Sequence, residues 1–563
     1  MHNLRRKPDE NVYILPKNHQ GTEIIATDHH MPMCADHISP VDSVVQDLSP
    51  LEPQSDETLP PNEPNEERDR ARHNVVDVVE SNIDIPIRGR YHGRSGGLLR
   101  KFYALYPIST LPRSLEYQGS VLVEHYFKEV CKLYSSFDSQ LNPFRVSVAD
   151  KWSRSGSIYY AIQSMAAAHL SNTQFPMEHI GVEMKLKADM ALQEELQQIQ
   201  MGHKDIDNTL LALLLLGLSA CWHSVGDLGL RYLHTARRLI RLRLASETNR
   251  DVARESQDEF FYQALVYWEM MTAFMVPPQD GLHPSVDRTT EFDDTAGWNP
   301  PRNQPGPQEQ HVLPHPWTGI GSEAQILLAA VGRLLRIQRS AAKMSISGIG
   351  DDIMAYVKLE CTALQLEEKL LSLKHPEVAS LIDPGDEQTN KMDFISIAEA
   401  TRYTALLELY HAFPAILRKR LSFDINHGNK ASAASPEVVA HHEAKFLNSL
   451  AVHTLTLVKK LDHNSGTRFL QLLIIVAAAT KLRFDQCPIN LDFLDLEAGS
   501  PDGITSARDF TRLRLHFHLV RLPAKPVKRV IDLITEVWRL LDEGEDVSWL
   551  DVMVSRGWET IIG

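Results

Sequence analysis

The stretch DNTLLALLLLGLSACW, residues 207–222, carries apolar side chains on nearly every side of a helical turn. A helix that is apolar all round is stable only when other elements surround it, so this stretch predicts the central helix of a helical core. Its apolar run, 210–222, is shorter than the roughly 20 residues that span a bilayer. The same holds for FLQLLIIVAAAT at 469–480. We therefore expect both to be buried core helices and predict no membrane partner.

The segment YFKEVCKLYSSFDSQLNPF, residues 126–144, precedes this centre. An apolar stripe at helical spacing runs from Leu122 to Phe137, which predicts an amphipathic helix. We expect the helix to stop at Asp138 and Asn142-Pro143, because the residue before a proline avoids the α region. Asp138 and Asn142 are interpreted as capping and turn residues rather than catalytic ones.

Helical periodicity continues through most of the remaining chain. Further helices are expected at 157–170, 180–200, 228–244, 260–275, 322–343, 351–373, 389–422, 436–462, 467–484 and from 526 onward. The only candidate strand is RLRLHFHL at 512–519, and no repeat of constant length is visible. The sequence therefore predicts an all-α fold, a large multi-helix array of packed antiparallel helices with a disordered N-terminal tail.

Composition divides the chain into three regions. Residues 1–85 form an acidic, proline-rich tail that has too little apolar surface to fold. Residues 86–114 form a basic, glycine-rich linker, interpreted either as a flexible linker or as a phosphate-contacting or nuclear import segment through Arg88, Arg90, Arg94, Arg100 and Lys101. The helical domain is expected at 115–563, interrupted by a proline-rich loop at 277–318 and a break at 426–436.

Charge and cysteine usage restrict the classes of function. The formal net charge is −15, so the chain as a whole does not attract nucleic acid, and DNA contact would need a local basic segment or another chain. The five cysteines are scattered without a C-x-x-C pair, which indicates free thiols in a reducing compartment. No apolar run follows the N-terminal basic residues, so no secretory signal is expected.

No motif in the sequence requires an enzyme. P-loop and G-x-S-x-G patterns are absent, and Gly348-Ile349-Gly350 is interpreted as a loop before a helix. Cys487 lacks a histidine placed to activate it, and Cys131 and Cys221 are expected in the core. Three histidine groups are not interpreted as metal sites. The group His29-His30 with Cys34 and His37 lies in the predicted disordered tail, and His441-His442 lacks the i, i+4 spacing of a zinc-binding helix. His516 and His518 would share a face only in a strand, and no further ligands are evident. We therefore predict no catalytic, cofactor-binding or metal-binding residues, no cofactor and no enzyme activity; DNA-binding residues are not assigned.

Four segments, in this order, resemble the regulatory domain of fungal-specific transcription factors. They are FDSQLNPFR (137–145) with AIQSMAAAHL (161–170); the apolar helix ending at Trp222 with Gly226-Asp227 and YLHTARRLI (232–240), in which His234 is displaced by one position; YTALLELYHAFP (403–414); and Glu536-Val537-Trp538 with Ser548-Trp549 and Gly557-Trp558 to Gly563. The resemblance covers about 115–275 and 390–563.

This resemblance implies a nuclear transcriptional regulator that controls metabolic or secondary-metabolite genes. Expected partners are co-regulator proteins, a small-molecule effector and a second copy of the chain, with DNA reached indirectly. In the family, an N-terminal zinc cluster built from six cysteines binds DNA, whereas Cys34 is the only cysteine before Cys131 in this sequence. Two explanations stay open: an upstream exon encodes the cluster, or the protein is a cluster-less paralogue that acts through partners.

Two other classes of protein remain as alternatives. A helical enzyme or ligand-binding protein would have a central apolar cavity, and an enzyme would also need a convergent acid–base set. Candidates for such a set are Glu124 with His125 and Asp227 with His234. A helical scaffold adaptor would show regular repeats.

Overall fold

The computed structural model describes residues 117–174, 176–202, 206–245, 252–276, 311–344, 351–425, 436–484 and 501–562. The predicted tail (1–85), the linker (86–114) and most of the two predicted interruptions lie outside these residues. So do His29, His30, Cys34 and His37, together with Gly348-Ile349-Gly350 and Cys487.

The N-terminal half of the described chain consists of helices joined by short turns. They are α1 (Tyr117–His125), which continues through a π-helical turn (Tyr126–Val130) into α2 (Cys131–Leu133), then α3 (Pro143–Lys151), α4 (Gly156–Leu170), α5 (Met177–Gln200), α6 (Ile206–Leu218), α7 (Ala220–His223), α8 (Leu230–Ala245) and α9 (Val252–Ala273). Helix α4 packs along α5, and α6 packs against both α4 and α8.

The C-terminal half continues the same architecture. Its helices are α10 (Ser322–Met344), α11 (Asp351–Ser372), α12 (Lys391–Ala412), α13 (Pro414–Ile425), α14 (Pro436–Lys459), α15 (Gln471–Ala479), α16 (Pro501–Arg521), α17 (Ala524–Asp542) and α18 (Trp549–Arg556), with 3-10 turns at Val378–Ser380 and Gly466–Leu470. Helix α10 packs on α9 and α12, and α12 packs on α14. Among the described residues there is no strand, which confirms the all-α prediction.

The two apolar stretches lie in one hydrophobic core, as expected. Every residue from Leu210 to Leu216 is buried, and so is every residue from Leu470 to Leu482. The segment Ile206–His223 is apolar and long enough to cross a membrane by composition, but 78% of it is buried inside the protein. Cys131 and Cys221 are buried free thiols, as predicted.

The segment 126–144 differs from its prediction in where helices begin and end. The first helix ends at Leu133, before Phe137, and Asn142-Pro143 starts α3 instead of ending a helix. Asn142 is the N-cap: its Oδ1 accepts the N–H of Phe144 at 3.0 Å, and Pro143 occupies the first helical position, where its missing N–H has no partner to lose. Asn142 is thus a capping residue, as predicted, and Asp138 pairs with Arg145 at 2.6 Å.

Two other predictions of helix and strand boundaries were wrong. The candidate strand 512–519 lies inside α16, so His516 is exposed while His518 is buried, and the two do not share a face. The helix expected at 389–422 is divided at Phe413, because Pro414 cannot continue the hydrogen-bond ladder of α12 and instead begins α13.

The described end of the proline-rich interruption, 311–318, packs into the core. Val312 bridges to Leu381, and Trp317 is 1% exposed. The Trp317 ring stacks on Phe144 with centroids 4.8 Å apart, and its Nε1 donates to the Tyr134 carbonyl at 2.7 Å. This part of the segment is therefore a core element that joins the two halves of the array.

Candidate functional site

A small aromatic cavity lies between the two halves of the core. Its volume is about 30 Å³, which is room for about one water molecule. The wall is formed by Leu133, Tyr134, Leu218, Trp222, Tyr267, Trp317, Phe469, Leu472, Leu522, Pro523, Pro526 and Val527. Pockets for small organic ligands are about tenfold larger or more, so in this conformation the cavity is a packing defect rather than a ligand pocket.

The polar groups of the cavity wall differ in their hydrogen bonding. Tyr134 Oη donates to the Leu214 carbonyl at 2.7 Å. Tyr267 Oη is buried and has no hydrogen-bond partner among the described residues. Burial raises the pKa of Tyr267, so its hydroxyl stays protonated. The cavity therefore offers one unused donor in an otherwise apolar wall.

The Gly226-Asp227 turn of the second motif lies between α7 and α8. It positions the start of α8 against the core helix α6. Asp227 Oδ1 accepts the N–H of Gly229 at 3.0 Å, and Oδ2 accepts from Lys185 Nζ at 2.8 Å. Burial raises the pKa of Asp227, but these two hydrogen bonds outweigh burial and the net pKa is lowered. Gly229 has φ +64°, and a Cβ there would lie 2.2 Å from the Gly217 carbonyl oxygen. The motif is thus architectural.

In the structure, the members of the two candidate acid–base pairs contact other groups or solvent. The hydrogen-bond partner of His125 is His169, with Nε2 and Nδ1 2.9 Å apart, and Glu124 is exposed. Asp227 bonds to Lys185 and Gly229, whereas His234 is exposed on α8. Neither pair forms a convergent acid–base set.

One serine–histidine contact was not anticipated from the sequence. Ser164 Oγ lies 2.8 Å from His223 Nε2 and also donates to the Gly181 carbonyl at 3.0 Å. Burial, together with Lys185 and Lys525, lowers the pKa of His223 to about 3. Ser164 is buried and its proton is already engaged with a backbone carbonyl. The contact therefore joins α4, α5 and α7, and it lacks the exposed nucleophile that catalysis requires.

A buried polar cluster connects the third and fourth motifs. Glu408 of α12 is fully buried and accepts the indole N–H of Trp549 at 2.9 Å. Lys481 Nζ, also buried, lies 3.4 Å from the same Glu408 oxygen. Burial lowers the pKa of Lys481, and Glu408 opposes that effect. Glu408 therefore ties the start of α18 to α12 and to the residues after α15.

Sequence reasoning identified the segments that carry these groups but not the contacts. A single acid inside the apolar run ALLELY was the available signal for Glu408, and the single lysine after VAAAT was the signal for Lys481. An acid or a lysine within a buried apolar helix normally needs a charged partner. Nothing in the sequence indicates that the two residues, far apart along the chain, are that pair.

The described residues contain no group of three or more metal-ligating side chains. His441 and His442 lie on α14, where His442 Nδ1 contacts the Val438 carbonyl at 2.7 Å. His516 and His518 point in different directions on α16, for the reason given above. None of the predicted histidine groups that the structure describes is assembled into a ligand set.

Comparisons with known proteins identify the family. The family described as the fungal specific transcription factor domain matches residues 121–563, and the match covers all four motif segments. Comparisons with curated proteins and with solved structures found no match. The matched range includes every described helix except the first turn of α1. The chain therefore belongs to the fungal specific transcription factor domain family, and its role lies in transcriptional regulation.

Proposed function

We propose that this chain regulates transcription in the nucleus through protein partners, with its helical domain as the part that receives them. The observation that carries the proposal is the family match over 121–563, in which the third and fourth motifs meet at the buried Glu408 cluster. The match and this contact support a helical domain in which the later motifs pack together. Target genes are expected to be metabolic or secondary-metabolite genes.

Electrostatics favour indirect contact with DNA. The net charge of −15 opposes phosphate binding by the chain as a whole. The zinc cluster of the family needs six closely spaced cysteines, and the sequence given has five, widely scattered. We expect the purified chain to show no specific binding to fragments of the promoters it controls at physiological salt, measured by fluorescence anisotropy.

The proposal is tested by tethering. The whole chain is fused to an unrelated DNA-binding domain and expressed with a reporter that carries the matching operator. We expect reporter transcription to change several-fold relative to the DNA-binding domain alone, and a fluorescent fusion of the chain to accumulate in the nucleus. An unchanged reporter, combined with an unchanged transcript profile in a deletion strain, would overturn the proposal.

An effector and a homodimer are further parts of this proposal. We place the effector at the aromatic cavity in a second conformation with an open wall, because the described wall leaves only about 30 Å³; the Tyr267 hydroxyl would donate to one acceptor oxygen of an otherwise apolar ligand. Sedimentation of the purified chain tests the dimer. Thermal unfolding with candidate metabolites, in the native chain and in Tyr267→Phe, tests the effector.

A further inference from the structure

Helix α16 exposes an apolar face although it belongs to the core array. Leu513, Phe517 and Val520 are 57%, 36% and 68% exposed. Their spacing of four and three residues places them along one side of the helix. Single exposed apolar residues are ordinary, but a row of three on one helix face marks a contact surface.

This face borders a groove of about 530 Å³ between α16 and the end of α14. Leu461, Phe510, Leu513 and Phe517 supply its apolar surface. The remaining lining residues are Asn390, Lys459, Lys460, Asp462, His463 and Arg514. The groove is therefore apolar along its floor and polar along its rim.

The rim is basic in a chain that is acidic overall. The exposed Lys459 and Lys460 line it, and Asp462 is its only carboxylate. Asp462 contacts His463 at 3.6 Å rather than either lysine. Arg514 is held in place, because its NH2 group donates to the carbonyls of Leu461 at 2.9 Å and Val458 at 3.3 Å.

A buried histidine and two arginines lie near Arg514 but outside the lining of the groove. His518 is buried one turn after Arg514, and its Nε2 has no partner among the described residues. Burial lowers the pKa of His518 to about 3, and Arg514, Arg468 and Arg521 add to that shift, so the ring is neutral. Arg468 and Arg521 donate to groups of Asn464, in the turn that follows α14. These groups are not part of the groove lining, so the positive charge offered to a partner comes from Lys459 and Lys460.

We propose that this groove, between the end of α14 and the exposed face of α16, binds an acidic amphipathic helix of a co-regulator protein. Leucine or aromatic side chains of that helix pack on Leu513 and Phe517, and its carboxylates face Lys459 and Lys460. The inference rests on the proposed function and names the class of partner and the surface it uses. Nucleic acid fits less well, because the floor is apolar and tight phosphate binding needs many cationic contacts.

The direct test uses a synthetic fluorescein-labelled helix of about four turns, with Asp and Glu on one face and Leu and Phe on the other. A matched peptide carries Asn and Gln in place of the acids. Fluorescence anisotropy with the purified full chain should show binding of the acidic peptide that weakens as salt rises. The amide peptide should bind about tenfold more weakly or worse.

Two variants locate the site. Leu513→Ser with Phe517→Ser, and separately Lys459→Glu with Lys460→Glu, should each weaken binding about tenfold. The matched control is Leu186→Ser with Met190→Ser, which removes an equally spaced exposed apolar pair from α5. All changed side chains are on the surface, so circular dichroism should show unchanged helix content. Equal binding by both peptides, or equal loss in the control, would overturn the proposal.

Three further outcomes distinguish this inference from self-association and from the proposed function. If Leu513→Ser with Phe517→Ser abolishes concentration-dependent self-association and not peptide binding, a second copy occupies the groove and the inference is wrong. If neither peptide binds but the tethered chain still alters reporter transcription, the groove proposal fails while the proposed function stands. If the peptide binds and the groove variant silences the tethered chain, both are supported.

Discussion

His315 holds the segment before α10 through both of its ring nitrogens. Nδ1 accepts the backbone N–H groups of Trp317 at 3.1 Å and Thr318 at 3.2 Å, so Nδ1 carries no proton. Nε2 must then carry the proton, and it faces the Phe260 carbonyl at 3.2 Å. This neutral tautomer places Trp317 against Phe144, and protonation of Nδ1 would break two backbone hydrogen bonds.

Acid is therefore expected to destabilise the fold. Burial lowers the pKa of His315 from 6.5 to about 3, while the carbonyl of Phe260 opposes the shift only weakly. Because the unfolded chain takes up the proton first, the stabilising contribution is complete above about pH 6.5 and declines as the pH falls toward the folded value. The free energy of unfolding should fall by about 1.4 kcal/mol per pH unit for each such histidine between pH 6 and pH 4.5. Urea titrations at several pH values measure this change in the free energy of unfolding.

The variant His315→Asn shows how much of this pH dependence of the free energy of unfolding comes from His315. Asn keeps an acceptor oxygen for the Trp317 and Thr318 N–H groups but does not titrate. At pH 8 the variant should lose about 1–3 kcal/mol through lost packing and the lost bond to Phe260. The difference between the native chain and the variant should shrink as the pH falls to 5. Parallel pH curves for the two proteins would show that His315 is not a source of the acid sensitivity.

At the scale of helices, the central position of α6 could be predicted from its sequence, whereas its contacts could not. Its position in the centre of the core followed from the apolar run alone, since no other environment suits a helix without a polar face. The apolar run did not indicate how closely the neighbouring helices approach α6. A Cβ on Gly217 would lie 1.9 Å from the Trp268 ring, so the Trp268 side chain of α9 occupies the space that a larger residue would need.

Gly217→Ala should therefore destabilise the domain although alanine is the better helix former. The added methyl must displace the Trp268 ring, and overpacking of this kind typically costs about 1–3 kcal/mol. The matched control is Gly226→Ala, where the new Cβ meets nothing nearer than 4.0 Å. Urea midpoints of the two variants provide the comparison. A Gly217→Ala protein as stable as the control would mean that α6 and α9 are less tightly packed than described.

Helix α16 shows where residue patterns fail. RLRLHFHL alternates like a strand because Arg514 and His518 are buried at helical spacing, where apolar residues are expected. Arg514 is buried because it donates to carbonyls at the end of α14, a contact that exists only in the folded chain. The sequence likewise predicts the end of a helix at Asn142-Pro143, whereas a helix begins there. Asn before Pro is compatible with either a helix end or a helix start. Local sequence identified the helices, while tertiary contacts decided the polar positions and boundaries.

At the scale of the whole molecule, Glu408, Lys481 and Trp549 connect three distant parts of the chain. Trp549 also packs on Phe274 of the segment after α9, with ring centroids 5.6 Å apart. The motif segments were identified from the sequence in their correct order. The convergence of the third and fourth segments on the buried Glu408 carboxylate could not be predicted, because pairing between residues far apart in the chain leaves no local sequence pattern. The cluster joins α12, α18 and the residues after α15 within the C-terminal half, and the contact of Trp549 with Phe274 extends it to the N-terminal half.

A double-mutant cycle tests whether Glu408 and Lys481 stabilise the domain as a pair. Glu408→Gln keeps the acceptor oxygen for the Trp549 indole but leaves Lys481 as an unpaired buried cation, so it should cost about 3–5 kcal/mol. Lys481→Met leaves Glu408 unpaired and should cost a similar amount. The double variant removes both charges, keeps the Trp549 hydrogen bond and should recover most of the loss. Cooperative urea unfolding, followed by tryptophan fluorescence and by circular dichroism, measures all four proteins. Additive losses in the double variant would mean that Glu408 and Lys481 contribute independently and do not stabilise the domain as a pair.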